Sequence, residues 1–245
     1  MGKADLHIHT TYSFDGTASL REVLSSAEQA GLDVIAITDH NEIRGGLEAQ
    51  GLAAAYPLQV IPGVEISTRE GHLVALFVER AIPAGLSLVE TLLRVADQGG
   101  IGIAAHPDHP VSNSLSLRSI QAALEHPLAG QVLSGIEVCN MNPTHSLFNK
   151  RSARAAASLP LALIASSDAH LADMVGAGVT HFDGHTPADL RHAIETRSTR
   201  PEQVNHEWPF KVFLRWARLY SRRNKSASHP DQGLRPVSGQ TPADR

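Results

Sequence analysis

Two histidines one residue apart, in the run ADLHIHT at residues 4–10, leave an extended chain on the same side and can offer two imidazoles to one ion. His7 and His9 open a series of nine side chains of metal-ligand type; the others are Asp15, His40, Glu65, His72, His106, Asp168 and His170. Most follow a short apolar run: VIAITDH at 34–40, VIPGVEIS at 60–67, GIGIAAH at 100–106 and LALIASSDAH at 161–170. Packing alone gives no reason for strand after strand to end in a ligand. A cluster of divalent cations on a shared rim does, and it implies hydrolytic chemistry, because such ions acidify water and polarise the bond under attack. A carboxylate can bridge two ions where an imidazole normally cannot, so Glu65, the lone carboxylate at its strand end, is the candidate bridge. Asp168 and His170 issue from one turn, and with Glu65 they are the candidates for direct catalytic roles. Asp5 shares the face of His7 and His9, where a carboxylate orients an imidazole from behind.

These side chains need elements that bring them together. Strand-like runs at 4–9, 34–38, 59–66, 73–78, 101–105, 135–139, 161–165 and 178–182 interleave with helix-like ones at 19–30, 43–54, 87–98, 116–125, 146–157 and 187–197. Ser19 with Glu22 and Ser87 with Glu90 stand at capping-box spacing, and Thr186 precedes Pro187 at a helix start. Short apolar strands alternating with helices predict a mainly parallel sheet buried on both faces. A closed barrel suits the ligands better than an open sheet: all strand ends meet on one face of a barrel, whereas along an open edge they stay apart.

The chain has 245 residues, 42% of them hydrophobic, and a net charge of -4, which suits one globular α/β domain and supplies no global basic field for nucleic acid. Fourteen histidines is a high count, and the single cysteine allows neither an internal disulfide nor a cysteine-based zinc knuckle. The start lacks the apolar stretch of a secretory signal and no run is long enough for a membrane span, so a cytoplasmic setting is expected. The composition changes after residue 200. Residues 208–223 hold five of the eleven aromatic side chains, with Phe210, Phe213, Leu214 and Ala217 on one helical stripe and Lys211, Arg215, Arg218 and Arg222 on the other side. The expected organisation is a barrel over 1–200, a basic amphipathic helix over 201–223 and a disordered tail over 224–245. The helix either packs on the barrel or a second subunit, or meets a membrane surface or nucleic acid.

The set DLHIHT, YSFDG, AITDH, GVEIS, GHL, AHP and SDAH resembles the polymerase-and-histidinol-phosphatase (PHP) domain family over residues 4 to about 196. The resemblance implies a distorted (β/α)7 barrel of TIM-like type and a trinuclear metal centre with phosphoesterase activity. By motif it places His7, His9, Glu65 and Asp168 on the first ion, Glu65, His72 and His106 on the second, and Asp15, His40 and His170 on the third. Asp15 stands where some members carry His, and Asn41 where Asp is frequent. The long insert between the equivalents of His72 and His106, found in members acting on nucleoside bisphosphates or as exonucleases, is missing here. Mixed oxygen and nitrogen donors suit Zn²⁺, Mn²⁺ or Fe²⁺ better than Mg²⁺. The expected partner is a small phosphorylated substrate, mono- or diester, attacked by a hydroxide bridging two ions. The alternatives are a nuclease on DNA or RNA ends, metal-assisted hydrolysis of a non-phosphate bond, and a metal-stabilised scaffold without turnover. Arg44, Asn140 and His109 are candidate substrate contacts, whereas His126, His145, His181, His185 and His192 read as structural or exposed.

Overall fold

The run that holds His7 and His9 starts as β1 (Gly2–Asp5) and stays extended to a single bridge between Ile8 and Ala169. The computed structural model describes residues 1–110, 113–204 and 209–227. After β1 come α1 (Leu20–Gln29), β2 (Val34–Ile37), α2 (Arg44–Leu52), β3 (Gln59–Ser67), β4 (His72–Leu76), α3 (Leu88–Ala96) and β5 (Ile101–Ala104). Then follow α4 (Leu117–Glu125), α5 (Ala129–Val132), β6 (Leu133–Asn140), α6 (Asn149–Ala156), β7 (Ala162–Ser166), β8 (Gly178–Phe182), α7 (Pro187–Glu195), β9 (Arg200–Gln203) and α8 (Pro209–Ala227). Ser19, Ser87 and Thr186 each cap a helix through a full capping box, with Glu22, Glu90 and Asp189 reaching back.

The strands form one sheet in the order β7-β6-β5-β4-β3-β2-β1-β8-β9. Its ends curl together. The Ile8–Ala169 bridge joins the continuation of β1 to the turn after β7. Thr180 Oγ1 of β8 donates to the Ala165 carbonyl of β7 at 2.8 Å and accepts from the Ala165 amide at 3.0 Å. The result is a distorted, nearly closed α/β barrel.

The sheet is not mainly parallel, as the alternation of elements suggests. β1–β2, β2–β3, β5–β6 and β6–β7 are parallel, but β3–β4, β4–β5, β1–β8 and β8–β9 are antiparallel. Residues 68–71 are too few for a crossover helix, so β4 must turn straight back along β3. The turn closes with the Thr68 amide on the Gly71 carbonyl at 3.0 Å. Only glycine suits position 71: its φ is 144°, and a Cβ would lie 2.5 Å from the Leu115 nitrogen. The reversal matters for the site, because β4 begins where β3 ends and His72 stands opposite Ser67, beside Glu65.

The barrel interior is apolar, with Val34, Ala36, Ile61, Val74, Ile103 and Ile164 packed on Phe182, Leu190 and Ile194. α7 closes the end at which the parallel strands begin. Gln59 donates to the His185 carbonyl at 3.2 Å and Arg191 to the Gly99 carbonyl at 2.8 Å, both just before or at a strand start. With that end plugged, polar side chains collect at the opposite rim.

α8 runs to Ala227, past the expected end at 223, and the expectation for residues 228–245 lies outside the described residues. Its packed side is also not the expected stripe. Val212 is buried in the cluster that holds Leu171 and Met174, and Trp216 packs against it. Phe210, Phe213 and Leu214 remain exposed. Hydrogen bonds set this rotation. The Trp216 indole N–H donates to the Asp15 carbonyl at 2.9 Å, and Arg223 donates to the carbonyls of Thr11 and Ser13, each at 2.9 Å, and of Gly16. A polar clasp therefore decides which face of the helix is covered.

Candidate metal centre

All nine ligand-type residues meet at the open rim. Glu65 is at its centre and almost wholly buried. Its Oε1 lies 2.8 Å from His72 Nδ1 and 3.1 Å from His106 Nε2. Its Oε2 lies 2.9 Å from His40 Nδ1, 3.3 Å from His7 Nε2 and 3.4 Å from His9 Nε2. Asp168 Oδ1 is 3.2 Å from His9 and 3.7 Å from His7. Asp15 Oδ2 is 3.0 Å from His170 Nε2 and 3.3 Å from His40 Nε2.

This donor set fits divalent cations. His7 Nε2 and His9 Nε2 face each other at 3.1 Å, and both point toward Glu65 and Asp168. Glu65 Oε2 and Asp15 Oδ1 are buried without a hydrogen-bond partner. Unsatisfied carboxylate oxygens surrounded by imidazole nitrogens are costly unless a cation shares them. Two of the residues also hold left-handed backbone, His106 at φ 29° and Asp168 at φ 49°. Such conformations persist in non-glycine residues where the surroundings over-determine them, which is common at functional sites.

A second layer aims the ligands. Glu137, buried in β6, accepts from His7 Nδ1 at 2.9 Å and from the His106 amide at 2.8 Å. Asn140 donates to Glu137 at 3.0 Å and to Asp168 at 3.1 Å, so it positions carboxylates rather than facing open space. Ser13 Oγ lies 3.1 Å from His9 Nδ1 and accepts the His40 amide at 2.9 Å. Asp39 holds the loop that presents Asp15, accepting from the Thr10 amide at 2.7 Å, the Thr10 hydroxyl at 2.8 Å and the Ser13 amide at 3.0 Å. The loop is tight: a Cβ at Gly16 would lie 2.0 Å from the Thr10 carbonyl oxygen.

Several residues stand elsewhere than the sequence suggests. His145 belongs to the cluster: its Nδ1 is 3.1 Å from Asp168 Oδ2 and its ring stacks on His106 at 4.1 Å. It sits in the loop after β6 rather than at a strand end, so only the fold reveals it. Asp5 does not orient an imidazole; its carboxylate accepts from the amides of Ser167 and Gly176 at 3.0 and 2.8 Å. Arg44 lies outside the cleft, 74% exposed and paired with Glu42 at 2.6 Å. His109 is buried, bonded to the Thr144 carbonyl at 2.9 Å and edge-on to Phe148. It braces the loop carrying His145. Asn41 binds Ser67 through both side-chain ends and so ties the TDH turn to the end of β3.

The charges are mutually adjusted. Burial pushes Glu65 up, yet His7, His40 and His72 hold it well below the carboxylate range. Burial also opposes ionisation of Asp168 and Asp15, and neighbouring imidazoles override it in both. Burial pulls His7, His40 and His170 down, but the facing carboxylates raise all three, His40 to about 10. His9 is the opposite case: burial, then His170, lower it to about 4. Imidazolium protons thus supply the positive charge that the carboxylates require.

Metal loading must then depend on pH. The raised histidines stabilise the metal-free fold fully below 6.5, and that contribution disappears as pH climbs through the raised values. The lowered carboxylates contribute above 3.8 to 4.5 and cease to do so in acid. Cation binding has to expel the imidazole protons. Going from about pH 5.5 to about pH 8 is expected to lower the Tm of metal-free protein while enlarging the Tm gain from Mn²⁺ or Zn²⁺. Thermal unfolding with and without metal checks this, and a gain that ignores pH would contradict it.

A nearly closed α/β barrel whose open rim gathers seven buried or half-buried imidazoles around three carboxylates defines a metallohydrolase-type architecture. The sequence pattern of the PHP domain matches residues 5–176, and the chain belongs to that family. It is 40% identical over 148 residues to an uncharacterised protein of Methanocaldococcus jannaschii, covering 56% of this chain and 81% of that one. It is 35% identical over 95 residues to the phosphoribosyl 1,2-cyclic phosphate 1,2-diphosphodiesterase of Eggerthella lenta, covering 36% of each chain. Among solved structures, PsfC from Pseudomonas syringae PB-5123 aligns with a TM-score of 0.64 at 17% identity, over 91% of this chain and 100% of PsfC, a likeness of fold. Among the described residues no helix is long and apolar enough to cross a membrane.

Proposed function

We propose that the chain is a metal-dependent phosphoesterase that hydrolyses a small phosphorylated substrate, using up to three Zn²⁺, Mn²⁺ or Fe²⁺ ions. The observation that carries this reading is Glu65: one buried carboxylate faces five imidazoles drawn from four segments, and one of its oxygens has no hydrogen-bond partner. His7, His9, Glu65 and Asp168 would hold one ion, Glu65, His72 and His106 a second, and Asp15, His40 and His170 a third, with His145 beside His106 and Asp168. When bound, such ions acidify water and neutralise phosphoryl oxygens. The chain's own part is to fix the donors: Glu137 aims His7, Ser13 aims His9, and Asn140 pins Asp168. His170, half-buried at the edge of the cleft, is aimed at the third set by its Nδ1 on the Asp168 carbonyl at 2.9 Å. The activity named for the Eggerthella lenta relative, a phosphodiester cleavage, supports the same bond type.

The nuclease alternative rests on the basic side of α8, and two of its cations are engaged by the barrel's own groups. Arg215 pairs with Asp173 at 3.1 Å, and Arg223 is spent on the loop carbonyls. A small substrate is therefore favoured. Protein stripped of metal and reloaded with Mn²⁺ should hydrolyse p-nitrophenyl phosphate or its bis-ester, read as p-nitrophenol release. Full metal occupancy with no turnover of either ester, under any of the three metals, would leave the scaffold reading instead.

A further inference from the structure

The cleft above the ligands is only half built by the barrel. Its floor is polar, with Asp15, Asp168 and His170. Its opposite wall is apolar, and Val212, Phe213 and Trp216 of that wall come from α8, beyond the family-matched segment. Val212 is buried against Leu171 and Met174, and the Phe213 ring tilts over Trp216 at 5.8 Å. Trp216 is itself held by its bond to the Asp15 carbonyl and by stacking on Tyr220 at 5.1 Å. The wall is therefore fixed in place by the same loop that presents Asp15. Among the described residues, none that lines the cleft is Lys or Arg, and its volume is about 210 Å³. A polyanionic substrate needs cationic walls along its phosphates. A cleft with carboxylates and imidazoles at the bottom and an aromatic side has use for one phosphoryl group and one compact apolar group.

Resting on the phosphoesterase reading, we propose that α8 forms the specificity wall of the site, and that the substrate is a phosphate ester of a compact aromatic or apolar alcohol. The phosphoryl group sits at the ligand cluster and the apolar group lies against Phe213, Val212 and Trp216. This accounts for Phe213, an aromatic side chain 44% exposed at the cleft instead of packed in the core.

Non-hydrolysable phosphonates test the wall apart from leaving-group chemistry. Isothermal titration of the Mn²⁺-loaded full chain with phenylphosphonate and methylphosphonate is expected to favour the phenyl compound by about tenfold, the low end for burying an aromatic group. In Phe213→Ala the preference should fall below about threefold, while Phe213→Leu should retain most of it and metal content by elemental analysis should not change. Equal affinities in the unmodified protein, or a preference untouched by Phe213→Ala, would overturn the wall while p-nitrophenyl phosphate turnover still upheld the phosphoesterase reading. Binding of neither phosphonate, together with no turnover, would remove both.

Discussion

Glu65→Ala is expected to reduce phosphoester turnover by at least about a thousandfold, a loss of several kcal/mol of charge stabilisation at the reacting phosphoryl group. It should also sharply lower metal content. The reason is the number of donors that converge on one carboxylate. Both oxygens face imidazoles, Oε1 those of His72 and His106 and Oε2 those of His40, His7 and His9. Without it, raised imidazoles such as His7 and His40 lose a facing anion, so the metal-free fold should also melt earlier. Glu65→Gln keeps the shape and removes the charge; it should rank between alanine and the natural residue in metal content and remain near alanine in rate. Elemental analysis and steady-state rates on the reloaded proteins read both effects. A variant that keeps its ions and its rate within tenfold would show that the bridge lies elsewhere.

Glu137→Ala is the second large effect, and it acts without removing a ligand. Three buried donors terminate on this carboxylate: His7 Nδ1, the His106 amide and Asn140 Nδ2. Deleting it frees the His7 ring to turn, and partners of this kind change metal affinity or activity by about 10- to 100-fold. The orphaned donors cost about 1–3 kcal/mol each, so the Tm should fall as well. Glu137→Gln still accepts at one oxygen and should lose less of both. Titration of metal-free protein with Mn²⁺ gives the affinity, and thermal unfolding gives the stability. Unchanged affinity in the alanine variant would mean that His7 is aimed by packing alone.

The ligand cluster was legible because strand periodicity and strand ends carry chemistry that short motifs preserve. His-x-His on one face, TDH, GVEIS, AHP and SDAH each announce a polar group just past an apolar run. Helix starts were legible for the same local reason, since a capping box needs only four residues. What depends on distant partners was not. The antiparallel pairing of β8 with β1 joins segments far apart in sequence, and RPEQ in β9 has no apolar alternation to betray a strand. Glu137 was signalled only by a carboxylate inside the apolar run GIEVC, and His145 only by the loop that folds over His106. The face of α8 misled because two hydrogen-bonding side chains outweigh a longer apolar stripe.

The bonds from Arg223 to Thr11, Ser13 and Gly16 span more than two hundred positions. Chains are made from the amino terminus, and early segments can fold while later ones are still on the ribosome. Every described strand of the sheet is complete by Gln203, so the cylinder can form before this arginine is translated. The loop with Asp15 then waits, unfastened, for a residue made after the whole sheet. A ribosome that stops short of Arg223 would yield a folded body with a slack first loop.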